Sequence, residues 1–215
     1  MSNVLLGFGD SWAAGSELAV NEKPYIDLLA DQLGLPCLNF ATPSSSIPHL
    51  VLQFQQFIET KYFPKHRYHA VFFLTAKERT FVFDHDSKDI IHCSPQQATM
   101  DPMAGAYYRV YTDKLGDFNL NTTVLALQHL CSLYNVQDHY MLGWQQTQLW
   151  TSVDTTRFFQ QGEQAITTLF HGDGHRALPL LLEEKNQYIW PNQGHPNQQG
   201  HELIANALKD WIRVY

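Results

Sequence analysis

The sequence predicts an α/β protein whose mostly parallel sheet is covered by helices on both faces. Short apolar runs alternate with amphipathic helical patterns along the first part of the chain, and one run, His69–Leu74, is apolar almost throughout, as in strands buried on both faces. The composition agrees, since 44% of the 215 residues are hydrophobic and only 16% are charged. No repeat or linker divides the chain, so a single domain over residues 1–215 is expected.

Each element follows from a local pattern. Val4–Phe8 is a short apolar run that predicts the first core strand, and Pro24 opens a helix that Gly34 ends. The further predicted strands are Pro36–Phe40, His69–Leu74, His139–Leu142 and a short fifth at Gln187–Trp190. The further predicted helices are Ser46–Tyr62, Phe118–Tyr134, Thr156–Phe170 and Asn197–Arg213. Residues 76–113 show no clear period, which predicts an irregular insertion.

Charge and targeting signals exclude several classes of partner. Fourteen Lys and Arg against 21 Asp and Glu give a net charge of −7, so no basic field attracts nucleic acid or an anionic membrane. No apolar run approaches the ~20 residues of a membrane helix. No Lys or Arg precedes Lys23, which argues against an export signal and favours the cytoplasm. The three cysteines are widely spaced, which argues against a disulfide framework or a zinc site.

The strongest local motif, Gly9-Asp10-Ser11, stands where the first strand leaves the sheet. A hydroxyl there lies at the carboxyl end of a strand, where open parallel sheets bind their ligands. A dinucleotide-binding fingerprint fails because Trp12 occupies the position of its third glycine, and a phosphate-binding P-loop fails because the segment has no lysine. A nucleophile elbow fits the spacing, but its serine follows several strands rather than the first. Two interpretations therefore stay open, a nucleophilic serine and a serine that caps a helix.

A second motif leads into the last predicted helix. His195 precedes Pro196, and Asn197 can cap the helix, so the imidazole is held in a turn rather than on a free loop. A fixed imidazole suits a general base. His201, in the helix itself, is expected to face solvent or to cap it.

Two segments, Gly9-Asp10-Ser11 near the start and His195-Pro196-Asn197 with Gly200-His201 near the end, together resemble the motifs of the SGNH (GDSL) hydrolases. This is a family of esterases, lipases and deacetylases. The resemblance implies a three-layer α/β/α sandwich with a sheet of about five strands. It implies ester hydrolysis on a small-molecule or glycan ester, without cofactor or metal. It also implies that Ser11 is the nucleophile, that His195 is the base, and that Asn192 occupies the place of the aspartate that orients the histidine.

Asn192 is a departure from the family pattern. A neutral amide offers His195 only a dipole, and asparagine in place of the aspartate of a serine triad can lower the rate by ~10⁴. The sequence therefore predicts either a slow hydrolase or a carboxylate that arrives from elsewhere, with Asp154 and Asp173 as candidates.

The oxyanion site departs from the pattern as well. The resemblance assigns oxyanion donors to the backbone N–H groups of Ser11 and Ser44, the latter at a position that is usually glycine. The family's third motif lacks its asparagine here, and Thr75 and Arg79 are the candidates to replace it. Arg79 could equally form a structural ion pair with Glu78 or Asp84. The residues expected to contact substrate are Asp10, Trp12 and Arg79.

These departures leave a second hypothesis open. The chain could keep the fold and the pocket of the family without turnover, as a binding or structural module.

Overall fold

A parallel sheet forms the centre of the computed structural model, which describes residues 2–84, 86, 89–144, 148–171, 188 and 194–212. The strands are β1 (Asn3–Phe8), β2 (Cys37–Asn39), β3 (Arg67–Leu74), β4 (Thr80–Phe83), β5 (Ile90–Cys93) and β6 (Val136–Leu142). The main sheet has the order β2-β1-β3-β6, and all its pairings are parallel. The mostly parallel sheet predicted from the sequence is confirmed.

Helices cover both faces of this sheet. They are α1 (Ser11–Ala14), α2 (Tyr25–Leu33), α3 (His49–Thr60), α4 (Pro102–Val110), α5 (Asp113–Leu133), α6 (Thr168–His171) and α7 (Gln198–Trp211). Leu6 of β1 packs in a core cluster with α3 and α5, whereas its neighbour Leu5 packs in another with α2 and α7. Successive residues of a strand point to opposite faces, so these two cores define the three-layer α/β/α sandwich.

The main sheet has four strands in the part of the chain that the structure describes, where the sequence predicted about five. The fifth, Gln187–Trp190, lies outside the described residues except for Tyr188, which is in a turn. In the same described part, no helix is long and apolar enough to cross a membrane.

The helix predicted over Thr156–Phe170 is wrong. The segment forms two 3₁₀ turns, Thr155–Arg157 and Phe159–Gly162, and only its end is α-helical. Phe158 packs in the core cluster of one sheet face and Phe159 in that of the other. Adjacent residues on opposite faces are typical of extended chain, and Phe158 indeed bridges to β6.

The insertion predicted as irregular over residues 76–113 contains regular structure. Strands β4 and β5 form an antiparallel hairpin, and α4 follows. Each strand has four residues, too few to show a period in the sequence. The start of α4 does follow a sequence rule, because Asp101 accepts from the N–H groups of Met103 and Ala104, and Pro102 occupies the first helical position.

His201 was expected to face solvent or to cap the closing helix, and this prediction is wrong. Its side chain is fully buried, and Nδ1 accepts the backbone N–H of Tyr25 at 3.0 Å. Burial lowers the pKa of His201 to about 4, so the imidazole is neutral and can act as this acceptor. The contact joins α7 to the start of α2.

Candidate active site

Ser11 lies in the turn that leads from β1 into α1. Asp10 is the N-cap of α1, and its Oδ1 accepts the backbone N–H of Trp12 at 2.9 Å. Glycine is needed at position 9, because a Cβ there would lie 2.8 Å from the Cβ of Ala13 and 2.9 Å from that of Phe73. The short strand-to-helix turn therefore holds the Ser11 hydroxyl at the carboxyl edge of the sheet.

His195 reaches this serine from the segment before α7. Its Nε2 lies 2.9 Å from Oγ of Ser11, within hydrogen-bonding distance. Two contacts hold the segment. The indole Nε1 of Trp12 donates to the carbonyl of Gly194 at 3.1 Å, and Asn197 caps α7 by accepting the N–H of Gly200 at 3.0 Å. The imidazole is thus fixed from both sides.

A carboxylate that the sequence analysis missed contacts the other ring nitrogen of His195. Oε2 of Glu17 lies 2.8 Å from Nδ1, and the two side chains are 32% and 22% exposed, respectively. A carboxylate can only accept, so Nδ1 carries the proton and Nε2 presents its lone pair to Ser11. This tautomer is the one that a general base requires.

The backbone at Glu17 explains how its side chain reaches the histidine. Glu17 lies beyond the end of α1 and has φ of 73°, the left-handed region that non-glycine residues seldom adopt. It lies in a turn without hydrophobic period and outside the motifs of the resemblance. An acidic residue a few positions after the serine was the one available signal.

The prediction that Asp154 supplies the carboxylate for His195 is wrong. Asp154 accepts from Thr156 and from Nε of Arg157, the latter at 2.9 Å, and so caps the 3₁₀ turn that follows it. Hydrogen bonds from Thr156 hold the pKa of Asp154 below its usual value. Asn192 and Asp173 lie outside the described residues.

Comparisons with known proteins bear on the fold. No family model matches the chain, and no curated protein matches its sequence. Among solved structures, the psychrotrophic esterase EstA from Pseudoalteromonas sp. aligns with 15% identity and a TM-score of 0.50 over 97% of this chain and 96% of that one. A protein assigned to the lipolytic G-D-S-L family from Desulfitobacterium hafniense aligns with 11% identity and a TM-score of 0.54, over 97% and 99%. This chain has the fold of the SGNH hydrolases.

A third neighbour of the same fold is a catalytic mutant of Axe2, an acetylxylan esterase from Geobacillus stearothermophilus. It has 14% identity and a TM-score of 0.51, over 100% of this chain and 99% of that one. At this level of identity the SGNH-hydrolase fold is what is shared, and the chemistry has to be argued from the residues of this chain.

The resemblance implies oxyanion donors at the backbone N–H groups of Ser11 and Ser44. Neither backbone N–H donates to another residue in the described part of the chain. Ser44 has φ of 64°, the left-handed conformation that explains why glycine suits this position. The Ser44 loop is tied to the Ser11 turn, since the N–H of Thr42 donates to the carbonyl of Gly9 at 3.1 Å.

Four other assignments need correction. Asp10 has a fully buried side chain whose Oδ2 accepts from the hydroxyl of Thr75 at 2.6 Å and from the guanidinium of Arg79 at 2.9 Å. The Thr75 hydroxyl has therefore used its single proton and is not a donor for an oxyanion. Arg79 forms a structural ion pair, with Asp10 rather than with Glu78 or Asp84. Trp12 is buried against Gly194, so neither it nor Asp10 is open to substrate.

Proposed function

We propose that this protein is a serine esterase in which Ser11 is the nucleophile and His195 is the general base. Glu17 orients His195 and stabilises the positive charge that forms on its imidazole. The observation that carries the proposal is the chain of two hydrogen bonds, 2.9 Å from Ser11 to His195 and 2.8 Å from His195 to Glu17. The order of the groups, hydroxyl to imidazole to carboxylate, is that of a serine triad.

The reaction has two halves. Oγ of Ser11 attacks the ester carbonyl carbon as its proton passes to Nε2 of His195, and the tetrahedral intermediate forms. The intermediate collapses to an acyl-enzyme when the C–O bond breaks, and the leaving alcohol takes the proton from Nε2. Water then attacks the acyl carbonyl carbon as Nε2 of His195 takes its proton. The second tetrahedral intermediate releases the acid when the bond to Ser11 breaks, and Nε2 returns the proton to Oγ of Ser11. Glu17 stabilises the imidazolium in both halves.

Negative charge on the carbonyl oxygen falls to the N–H groups of Ser11 and Ser44 in this proposal. Loss of one donor from a working oxyanion hole costs ~10² to 10³ in rate. The Thr75 hydroxyl has used its proton on Asp10, and the ion pair with Asp10 holds Arg79, so the proposal relies on these two backbone groups. We therefore expect slower turnover than in a hydrolase with a third donor.

The substrate class is a small-molecule or glycan ester. The esterase chemistry of the proposed triad and the acetylxylan esterase among the structural neighbours support it. The net charge of −7 agrees, because it disfavours polyanionic substrates. Acetylated xylo-oligosaccharides are accordingly the first natural-type substrates to test.

The test is hydrolysis of p-nitrophenyl acetate and of acetylated xylo-oligosaccharides by the wild-type protein, Ser11→Ala and Ser16→Ala. Ser16 lies in the same short segment and outside the proposed triad, so it controls for loss of a serine hydroxyl there. We expect turnover by wild type and Ser16→Ala and none by Ser11→Ala. A fluorophosphonate probe should modify the wild-type protein, and mass spectrometry should locate the modification on Ser11. A well-folded wild-type protein that neither turns over an ester nor takes up the probe would instead favour the second hypothesis, a binding or structural module without turnover.

A further inference from the structure

A buried glutamine lies behind the proposed oxyanion hole. Gln53, in the second turn of α3, is only 2% exposed. Its Oε1 accepts the backbone N–H of Gly9 at 3.0 Å, and its Nε2 donates to the carbonyl of the same residue at 2.8 Å. A buried amide is costly unless its polar atoms are bonded. Gln53 meets this cost with a two-point bond to the backbone two residues before Ser11.

The same amide reaches the second wall of the oxyanion hole. Nε2 of Gln53 also donates to Oγ of Ser45 at 3.0 Å, next to the Ser44 donor. The carbonyl of Gly9 accepts from Thr42 as well, and the N–H of Ser45 donates to the carbonyl of Thr42 at 3.1 Å. Through Gln53, the turn that carries Ser11 and the loop that carries Ser44 therefore share one set of buried hydrogen bonds.

His49 completes this set. It lies one helical turn before Gln53, and its Nδ1 is 2.7 Å from Oγ of Ser45. Burial, with His92 as a smaller contribution, lowers the pKa of His49 to about 4, so the imidazole is neutral near pH 7. The Ser45 hydroxyl can then accept from Gln53 and donate to His49. The His92 ring of β5 lies 4.8 Å from that of His49, so the hairpin covers this network.

We infer that Gln53 is a positioning residue that sets the separation of the Ser11 and Ser44 oxyanion donors. This inference rests on the proposed function and adds a residue that none of the motifs contains. Two donors on different loops stabilise a developing charge only when the loops keep a fixed separation. Gln53 hydrogen-bonds to both loops with one rigid planar group, and none of these bonds is to the Ser11 hydroxyl or to His195.

The inference predicts a defect in kcat rather than in KM for Gln53→Met. Methionine keeps the length and unbranched shape of the side chain but cannot bond to Gly9 or Ser45. Because misplacement of a reacting group by about 1 Å costs ~10² in rate, we expect kcat on p-nitrophenyl acetate to fall about 10- to 100-fold, with KM within about twofold. Gln56→Met is the matched control, since Gln56 is exposed on the same helix, and it should keep wild-type kinetics. All assays are run at a temperature where circular dichroism shows each protein folded.

Gln53→Glu separates positioning from packing. An ionised carboxylate still accepts from the N–H of Gly9 but repels its carbonyl, whereas the protonated acid can donate to that carbonyl. The ratio of variant to wild-type kcat should therefore rise as pH falls from 8 to 6. Dividing by the wild-type kcat removes the pH effects that the two proteins share. His49, whose Nδ1 lies 3.5 Å from Nε2 of Gln53, is neutral over this range in the wild type.

Three outcomes overturn the inference. One is wild-type kcat in Gln53→Met while Ser11→Ala is inactive, which leaves the proposed esterase function standing. Another is a Gln53→Glu ratio that does not change with pH. The last is failure of both variants to fold, which would make Gln53 a determinant of stability alone. Absence of Ser11-dependent turnover in wild type and in Gln56→Met would instead refute the proposed function itself.

Discussion

Neutralisation of Glu17 tests the most unexpected part of the site. In Glu17→Gln the imidazolium that forms on His195 loses its anionic partner. At about 4 Å between charge centres, their attraction is about 1 kcal/mol in bulk water and about 4 kcal/mol at an effective dielectric constant of 20. The side chains are 32% and 22% exposed, which places the pair between these limits. Since about 1.4 kcal/mol is a tenfold change in rate, the expected loss is on the order of 10²-fold.

The amide of Glu17→Gln adds a second effect in the same direction. It can donate to Nδ1 and so favour the tautomer that carries its proton on Nε2, which cannot accept from Ser11. The assay is kcat and KM on p-nitrophenyl acetate, and kcat alone should fall because Glu17 acts through His195. Glu22→Gln is the matched control, since Glu22 in the same loop bonds to the N–H of Ala19, and it should keep wild-type kcat.

Partial rescue distinguishes a positioning role from a structural one. Glu17→Asp keeps the negative charge on a shorter side chain, so it should recover part of the loss in Glu17→Gln, while both variants melt near the wild-type temperature. The reasoning is refuted if Glu17→Gln has wild-type kcat in a protein that Ser11→Ala inactivates.

Three further predictions concern other residues. Asn192→Asp should leave kcat unchanged or lower, since Nδ1 of His195 already donates to Glu17; a faster variant on p-nitrophenyl acetate would contradict this. Arg79→Ala should lower the free energy of unfolding in urea by about 3 kcal/mol, because it leaves the buried Asp10 carboxylate without its cation; unchanged stability would exclude the structural role. Burial lowers the pKa of His139 from 6.5 to about 3. Below pH 6.5 the unfolded chain therefore binds a proton on His139 that the folded chain does not, and the free energy of unfolding decreases as the pH is lowered. His139→Phe should lose about 2 kcal/mol less than wild type between pH 7 and pH 5 in urea titrations, and equal losses would contradict this.

The parts of the site that could be predicted from sequence are those that follow regular elements. Ser11 lies three residues after the end of the buried strand β1, and His195 lies three residues before the first residue of the capped helix α7. Both positions could be predicted because the hydrophobic periodicity indicates where the strand and the helix lie, and the ends of these elements indicate where Ser11 and His195 lie. The same rule located the four parallel strands.

The rest depended on tertiary contacts that leave no period. Glu17 reaches His195 through a left-handed turn residue, and Arg79 finds Asp10 across the sheet edge rather than a neighbour in sequence. Phe158 and Phe159 resemble part of a helical stripe until their opposite burial is known. His201 is a polar residue on an amphipathic helix, which predicts exposure, yet its side chain is buried and accepts a hydrogen bond from the N–H of Tyr25.

The contacts that assemble the site also bear on how the chain folds. Ser11 and His195 are 184 positions apart, Glu17 and His195 are 178 apart, and Trp12 and Gly194 are 182 apart. Closing a loop of about 180 residues costs about 2 kcal/mol more chain entropy than closing one of about 18. Once the first of these bonds has met that cost, the others form almost without further loss, so they are acquired together and late. We therefore expect Ser11 and His195, the proposed nucleophile and base, to meet only after the sheet and the closing helix have docked, so partly folded chains should lack this pair.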